Sequence, residues 1–106
     1  MSLLQSHTLP WSYLLRNLHN YLLIDLRKAE HYAALHVAPS INIPLATEFI
    51  YEKSAGVKLP AFVCYKGESS KKLADSLVAR GLPAFSIDGG YEQLYKACTQ
   101  LETVRR

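Results

Sequence analysis

Hydrophobic positions along the 106-residue chain change period several times, and the changes mark the expected elements. Trp11, Leu14, Leu15 and Leu18 recur at i, i+3, i+4 and i+7, which predicts a helix over about Pro10–Leu18 with one apolar face. Thr8 is a candidate cap for its start, and Pro10 is tolerated in a first turn. Tyr21-Leu-Leu-Ile-Asp25 is a nearly unbroken apolar run, as expected of a parallel strand covered on both faces. A short helix is expected over Lys28–Leu35, a brief strand over Ile41–Ile43 closed by Pro44, and a helix over Ala46–Glu52 broken at Ser54-Ala-Gly56. Ala61-Phe-Val-Cys64 reads as a second buried strand.

Ser70–Arg80 carries the best helical pattern, with Leu73, Ala74, Leu77 and Val78 on one face, Ser69 or Ser70 as the cap and Gly81 as the stop. Ala84–Ile87 is then a strand, Asp88-Gly-Gly90 a tight turn, and Tyr91 to about Leu101 a final helix striped by Leu94, Tyr95, Cys98 and Leu101. Strands alternating with helices predict an α/β fold with a mainly parallel sheet, in one domain over 1–106. In such sheets ligands bind beyond the carboxyl ends of the strands. Asp25, Cys64 and Asp88 all lie at strand ends, which directs attention to one rim.

Composition narrows the function classes. With 49% hydrophobic and 20% charged residues the chain can build a core, and disorder is not expected. No apolar run is long enough to span a bilayer, so no membrane association is expected. The first residues lack a basic segment followed by a long apolar one, so no leader is expected and the cytoplasm is the expected location. A net charge of +3 without a dense basic, aromatic-laced run argues against nucleic acid as a partner, yet suits a small anionic substrate. Cys64 and Cys98 are spaced neither as a disulfide framework nor as a zinc site, and His7, His19, His31 and His36 form no metal-ligating pair, so no metal is expected.

The chemistry concentrates at Cys64-Tyr-Lys-Gly-Glu-Ser-Ser70, a loop from a strand end into a helix start. Backbone N–H groups at a helix N-terminus and the helix dipole favour a thiolate there over a thiol, and can hold an anion beside it. Tyr65, Lys66, Gly67, Glu68, Ser69 and Ser70 are the candidate binding residues. Gly67 lets the loop curl, Ser69 and Ser70 offer hydroxyls, and Lys66 offers a charge. Glu68, acidic beside an anion site, is expected to turn outward. Cys98, on an apolar stripe, reads as a core residue. Lys71 and Lys72 at a helix start oppose its dipole, which anion attraction would explain.

Three segments stand out together: Leu23-Ile-Asp-Leu-Arg27 with Glu30-His-Tyr32, His36, Ala38-Pro-Ser40 and Asn42-Ile-Pro44; the Cys64 loop; and Ile87-Asp-Gly-Gly-Tyr91 with Leu94 and Tyr95. Jointly they resemble the rhodanese-like sulfurtransferase family. They come in family order over about residues 21–96, and the loop with Ser86-Ile-Asp-Gly-Gly90 is most similar to small single-domain bacterial thiosulfate sulfurtransferases. An arginine is common in the family at the position of Ser69, and a tryptophan near Tyr95.

The resemblance implies a Cys64 persulfide that takes sulfur from thiosulfate or another sulfane-sulfur donor and gives it to cyanide or a thiol, such as that of a thioredoxin-like protein. It implies no cofactor, since the sulfur rides on the cysteine. Asp25 and Arg27 are then expected to tie loops together, His36 to hydrogen-bond loop backbone, and Asp88, Gly89 and Gly90 to form a turn bordering the pocket. One alternative is a persulfide carrier or interaction module with little turnover of its own. A phosphatase on the same fold would use Cys-x5-Arg, and the sixth position after Cys64 is Ser70.

Overall fold

The computed structural model describes residues 7–44 and 58–98, the side chains of 97 and 98 excepted. In chain order the elements are β1 (His7–Leu9), α1 (Trp11–Arg16), a 3-10 turn (Leu18–Asn20), β2 (Tyr21–Asp25), α2 (Ala29–Ala34), β3 (Ile41–Asn42), β4 (Leu59–Val63), α3 (Glu68–Ala79), β5 (Phe85–Ile87) and α4 (Gly90–Cys98). The five strands form one sheet in the order β1-β5-β4-β2-β3, and every pairing is parallel.

Alternation along the strands sorts the core onto two faces. Tyr21 and Leu23 of β2 and Ala61 and Val63 of β4 meet Trp11, Leu14, Val37, Ile87, Tyr91 and Leu94. Ile24, Phe62 and Cys64 turn the other way and pack with Ala74 and Leu77 of α3, Leu26 and Ala84. Cys64 thus continues the face of Phe62, directly under α3. From β2 the chain moves outward to β3 on one side, and from β4 to β5 on the other. The crevice beyond the ends of β2 and β4 is therefore where an open α/β sheet binds ligands. Asp25 ends β2 and Cys64 follows β4.

Several expectations change. β1 is a three-residue edge strand paired with β5, where the sequence suggested only a cap. So short a strand carries no period to read. Thr8 lies in β1, and the residue before α1 is Pro10, with no side-chain cap. β4 starts at Leu59, two residues early; Pro60 is accommodated because the ladder to β5 begins only at Ala61. Neither Ser69 nor Ser70 caps α3, whose preceding residue is Gly67. The expected helix over 46–52, the end of the last helix and the surroundings of Cys98 lie outside the described residues. No described helix is long and apolar enough to cross a membrane.

Candidate active site

The loop after β4 is held from two sides. Its carbonyls face α4: the Tyr91 N–H donates to the Cys64 carbonyl at 2.9 Å and the Glu92 N–H to that of Tyr65 at 2.8 Å. A trans peptide points its N–H opposite its C=O. The amides of Tyr65 and Lys66 are thereby turned away from α4. On the other side Gly67, with φ of 99°, reverses the chain into α3. A side chain would be strained at that φ, and its Cβ would come within 3.1 Å of the Gly89 nitrogen.

This folding brings donors onto the sulfur. The Gly67 N–H points at Cys64 Sγ from 3.2 Å and the Ser70 N–H from 3.3 Å. Ser70 is one of the early α3 residues whose N–H has no intrahelical acceptor, so donating to sulfur satisfies it. Ser70 Oγ lies 3.4 Å from Sγ. Cys64 is 5% exposed and meets solvent through a cleft of about 350 Å³ lined by Cys64, Tyr65, Lys66, Glu68 and Ser69. The candidate residues thus separate into two groups. Tyr65, Lys66, Glu68 and Ser69 wall the cleft, while Gly67 and the fully buried Ser70 stand behind the sulfur.

Tyr65 reaches across to α2. Its hydroxyl meets His31 Nδ1 and accepts the Lys28 N–H at 3.4 Å, and the two rings stand edge to face at 5.3 Å. Nothing in the local pattern signals this contact, because 34 positions separate the partners. Glu68 is exposed in the first turn of α3, where its charge suits the dipole. Lys71 is paired with Asp75 at 2.8 Å, so its charge at the helix start is answered within α3.

Asp88 does not border this cleft. It is exposed and lines a second one with Pro10, Trp11, Ser12, Gln93 and Leu94. Gly89 and Gly90 lie behind the loop, and at Gly90, with φ of 58°, the approach is close. A Cβ there would collide with the Cys64 carbonyl oxygen and stand 2.7 Å from that of Tyr65. Replacing Gly90 by alanine is expected to destabilise the fold by about 2–4 kcal/mol, from a left-handed non-glycine residue plus overpacking. The loop carbonyls would also leave the α4 amides, so alkylation of Cys64 by iodoacetamide would slow. Urea unfolding and the alkylation rate check this; a loss below about 0.5 kcal/mol would mean that the loop shifts freely.

Asp25 and Arg27 sit beneath the same rim. Arg27 Nη2 is 3.0 Å from Asp25 Oδ2, and both residues are buried. Arg27 also donates to the Leu35 carbonyl at 2.6 Å and to Tyr95 Oη at 3.1 Å, and its guanidinium lies 3.7 Å from the centre of the Tyr91 ring. Burial opposes the Arg27 charge, but the Asp25 hydrogen bonds and charge outweigh it and hold the guanidinium's ionisation above the usual range. Burial likewise pushes the Tyr91 phenol upward, so it stays neutral and accepts the Val37 N–H at 3.0 Å. His36 hydrogen-bonds the Tyr32 carbonyl at 2.6 Å and stacks on the Tyr32 ring, and it is not among the described residues that line the cleft.

The family model described as Rhodanese-like domain matches residues 10–97. The thiosulfate sulfurtransferase GlpE of Pseudomonas putida (strain GB-1) is 31% identical over 93 residues, covering 86% of this chain and 84% of that protein. GlpE of Pseudomonas savastanoi pv. phaseolicola is 33% identical over 86 residues, covering 79% and 80%. The rhodanese-related protein of Thermoplasma volcanium superposes with a TM-score of 0.73 at 24% identity, over 86% of this chain and 92% of its own. A parallel five-stranded sheet, a cysteine in the loop after its central strand and a family match over most of the chain agree: this protein belongs to the rhodanese-like family, whose sulfurtransferases include its GlpE relatives.

Proposed function

We propose that this protein is a thiosulfate sulfurtransferase that works through a persulfide on Cys64. The observation that carries the proposal is the convergence of the Gly67 and Ser70 N–H groups on Cys64 Sγ at the floor of an open cleft. Amide donors stabilise a thiolate without a neighbouring base, which is how a cysteine becomes a nucleophile at neutral pH. The thiolate attacks the outer sulfur of thiosulfate. A new S–S bond forms to Sγ, the old one breaks, and its electron pair leaves with sulfite. The Tyr65 and Lys66 amides, the Ser69 hydroxyl and the Lys66 ammonium are the donors available to the sulfonate oxygens. An acceptor, cyanide or a thiolate, then attacks the outer sulfur, and Cys64 departs as thiolate.

The names of the GlpE relatives support thiosulfate as donor. Among the described residues, those that line the cleft come from a single loop, 64–69. So open a site favours a second reading, a carrier that discharges to a protein thiol and turns over slowly without it.

Reduced protein incubated with thiosulfate should gain about 32 Da, one sulfur atom on the activated thiolate, and cyanide should remove it. Failure to gain mass, with Cys64 open to a thiol reagent, would overturn thiosulfate as donor. Steady-state turnover with cyanide then separates enzyme from carrier: a carrier loads one sulfur per chain but turns over poorly.

A further inference from the structure

Beneath the sulfur lies a second polar layer. Ser70, in the first turn of α3, and Ser86, in the middle of β5, are 0% and 1% exposed, and their hydroxyl oxygens are 2.8 Å apart. Ser70 Oγ is also 3.4 Å from Cys64 Sγ and 3.3 Å from the Gly67 carbonyl oxygen. A hydroxyl has one proton to give, so the direction of the serine pair decides what the sulfur meets. The Ser70 proton has three acceptors within reach. Among the described residues the Ser86 hydroxyl has one partner, Ser70 Oγ. Either hydroxyl could donate across this pair, and a buried donor left unpaired is strongly unfavourable, which favours Ser86 as the donor to Ser70. The Ser70 proton is then free for the Gly67 carbonyl or for Sγ, and an anionic sulfur is the stronger acceptor.

We propose that Ser86 is a positioning residue: by donating to Ser70 it directs the Ser70 hydroxyl onto Cys64 Sγ whenever that sulfur is negatively charged. The inference deepens the sulfur-transfer reading and rests on it for its place in the reaction. Charge reaches Sγ whenever the thiol gives up its proton. It returns when the acceptor attacks the outer sulfur, because the broken S–S bond leaves its electron pair on Sγ. At both points Sγ would have three donors, the Gly67 and Ser70 amides and the Ser70 hydroxyl, with Ser86 polarising the last. Among the described residues, the charged and titratable ones that line the cleft or bond to the loop and its supports are Tyr65, Lys66, Glu68, the Lys71–Asp75 pair, Lys28, His31, Tyr91 and Glu92. All are kept in the variants below.

The test is the rate of Cys64 alkylation by iodoacetamide against pH, read by peptide mass so that Cys98 does not contribute. It needs no sulfur donor. Ser86→Ala should move the curve to higher pH and slow the reaction below its plateau roughly three- to tenfold, the scale of one hydrogen bond to a charged group relayed through a neighbour. Ser70→Ala should move it at least as far, and the double variant no further than Ser70→Ala, because Ser86 acts through Ser70. Should Ser86→Ala fold poorly, the equal-shaped pair Ser86→Thr and Ser86→Val isolates the hydroxyl: threonine should keep the parent curve and valine should not. A parent-like curve in folded Ser86→Ala or Ser86→Val, or additive shifts in the double variant, would overturn the proposal. A displaced curve in a protein that gains no mass from thiosulfate would leave the role of Ser86 standing and remove the sulfur-transfer reading.

Discussion

A Cys64→Ser variant should transfer sulfur at least about 10³-fold more slowly than the parent, because a serine hydroxyl lacks the low-energy anion and the soft, polarisable sulfur that attack on sulfur requires. The amide cradle would remain. The Gly67 and Ser70 N–H groups, 3.2 and 3.3 Å from Sγ, can donate to a hydroxyl oxygen as they do to sulfur. Stability should therefore change by no more than about 1 kcal/mol, and the loss would be chemical rather than structural. Thiosulfate should add no mass to the variant. Thiosulfate:cyanide turnover and thermal melting of the same preparation separate the two effects. Residual turnover within tenfold of the parent would place the nucleophile elsewhere and sink the proposed mechanism.

The sequence placed Cys64 because the signals there are local. An apolar run ends, a glycine follows three residues later, and a 3.6-residue period begins at once. Local signals of the same kind, read run by run, put the bounds of β2, β4, α3 and β5 within two residues of those observed. The supports of the loop were not legible. Tyr91 and Glu92 hold the Cys64 and Tyr65 carbonyls from another element, Tyr65 leans on His31, and Ser70 leans on Ser86. Each is a contact of high sequence separation that no local period encodes. Ser70 shows the confusion this creates. A serine near a helix start reads as a cap, yet here its N–H and hydroxyl serve the sulfur and Gly67 precedes the helix. The Asp25–Arg27 pair was visible as a motif, but its burial depends on Tyr91, Tyr95 and Leu35 closing over it.

That burial makes Arg27→Ala the most destabilising charge removal expected here. Asp25 is 0% exposed and receives from Arg27 its backbone N–H at 2.9 Å, Nε at 3.1 Å and Nη2 at 3.0 Å. Alanine keeps only the first of these and leaves a buried carboxylate without its countercharge, a situation that costs about 3–5 kcal/mol. For a domain of this length that is a fall in Tm of roughly 15–30 °C. Lysine should restore little of it, because a single ammonium cannot bond Asp25, the Leu35 carbonyl and the Tyr95 hydroxyl together while stacking on Tyr91. Asp25→Ala combined with Arg27→Ala should recover part of the loss, since neither charge is then stranded. Urea unfolding of the three variants measures this. Stability should move far more than Cys64 alkylation, because neither residue lines the cleft. A loss under 1 kcal/mol in Arg27→Ala would mean that Asp25 finds water or a proton, and that the pair is not what closes the end of β2.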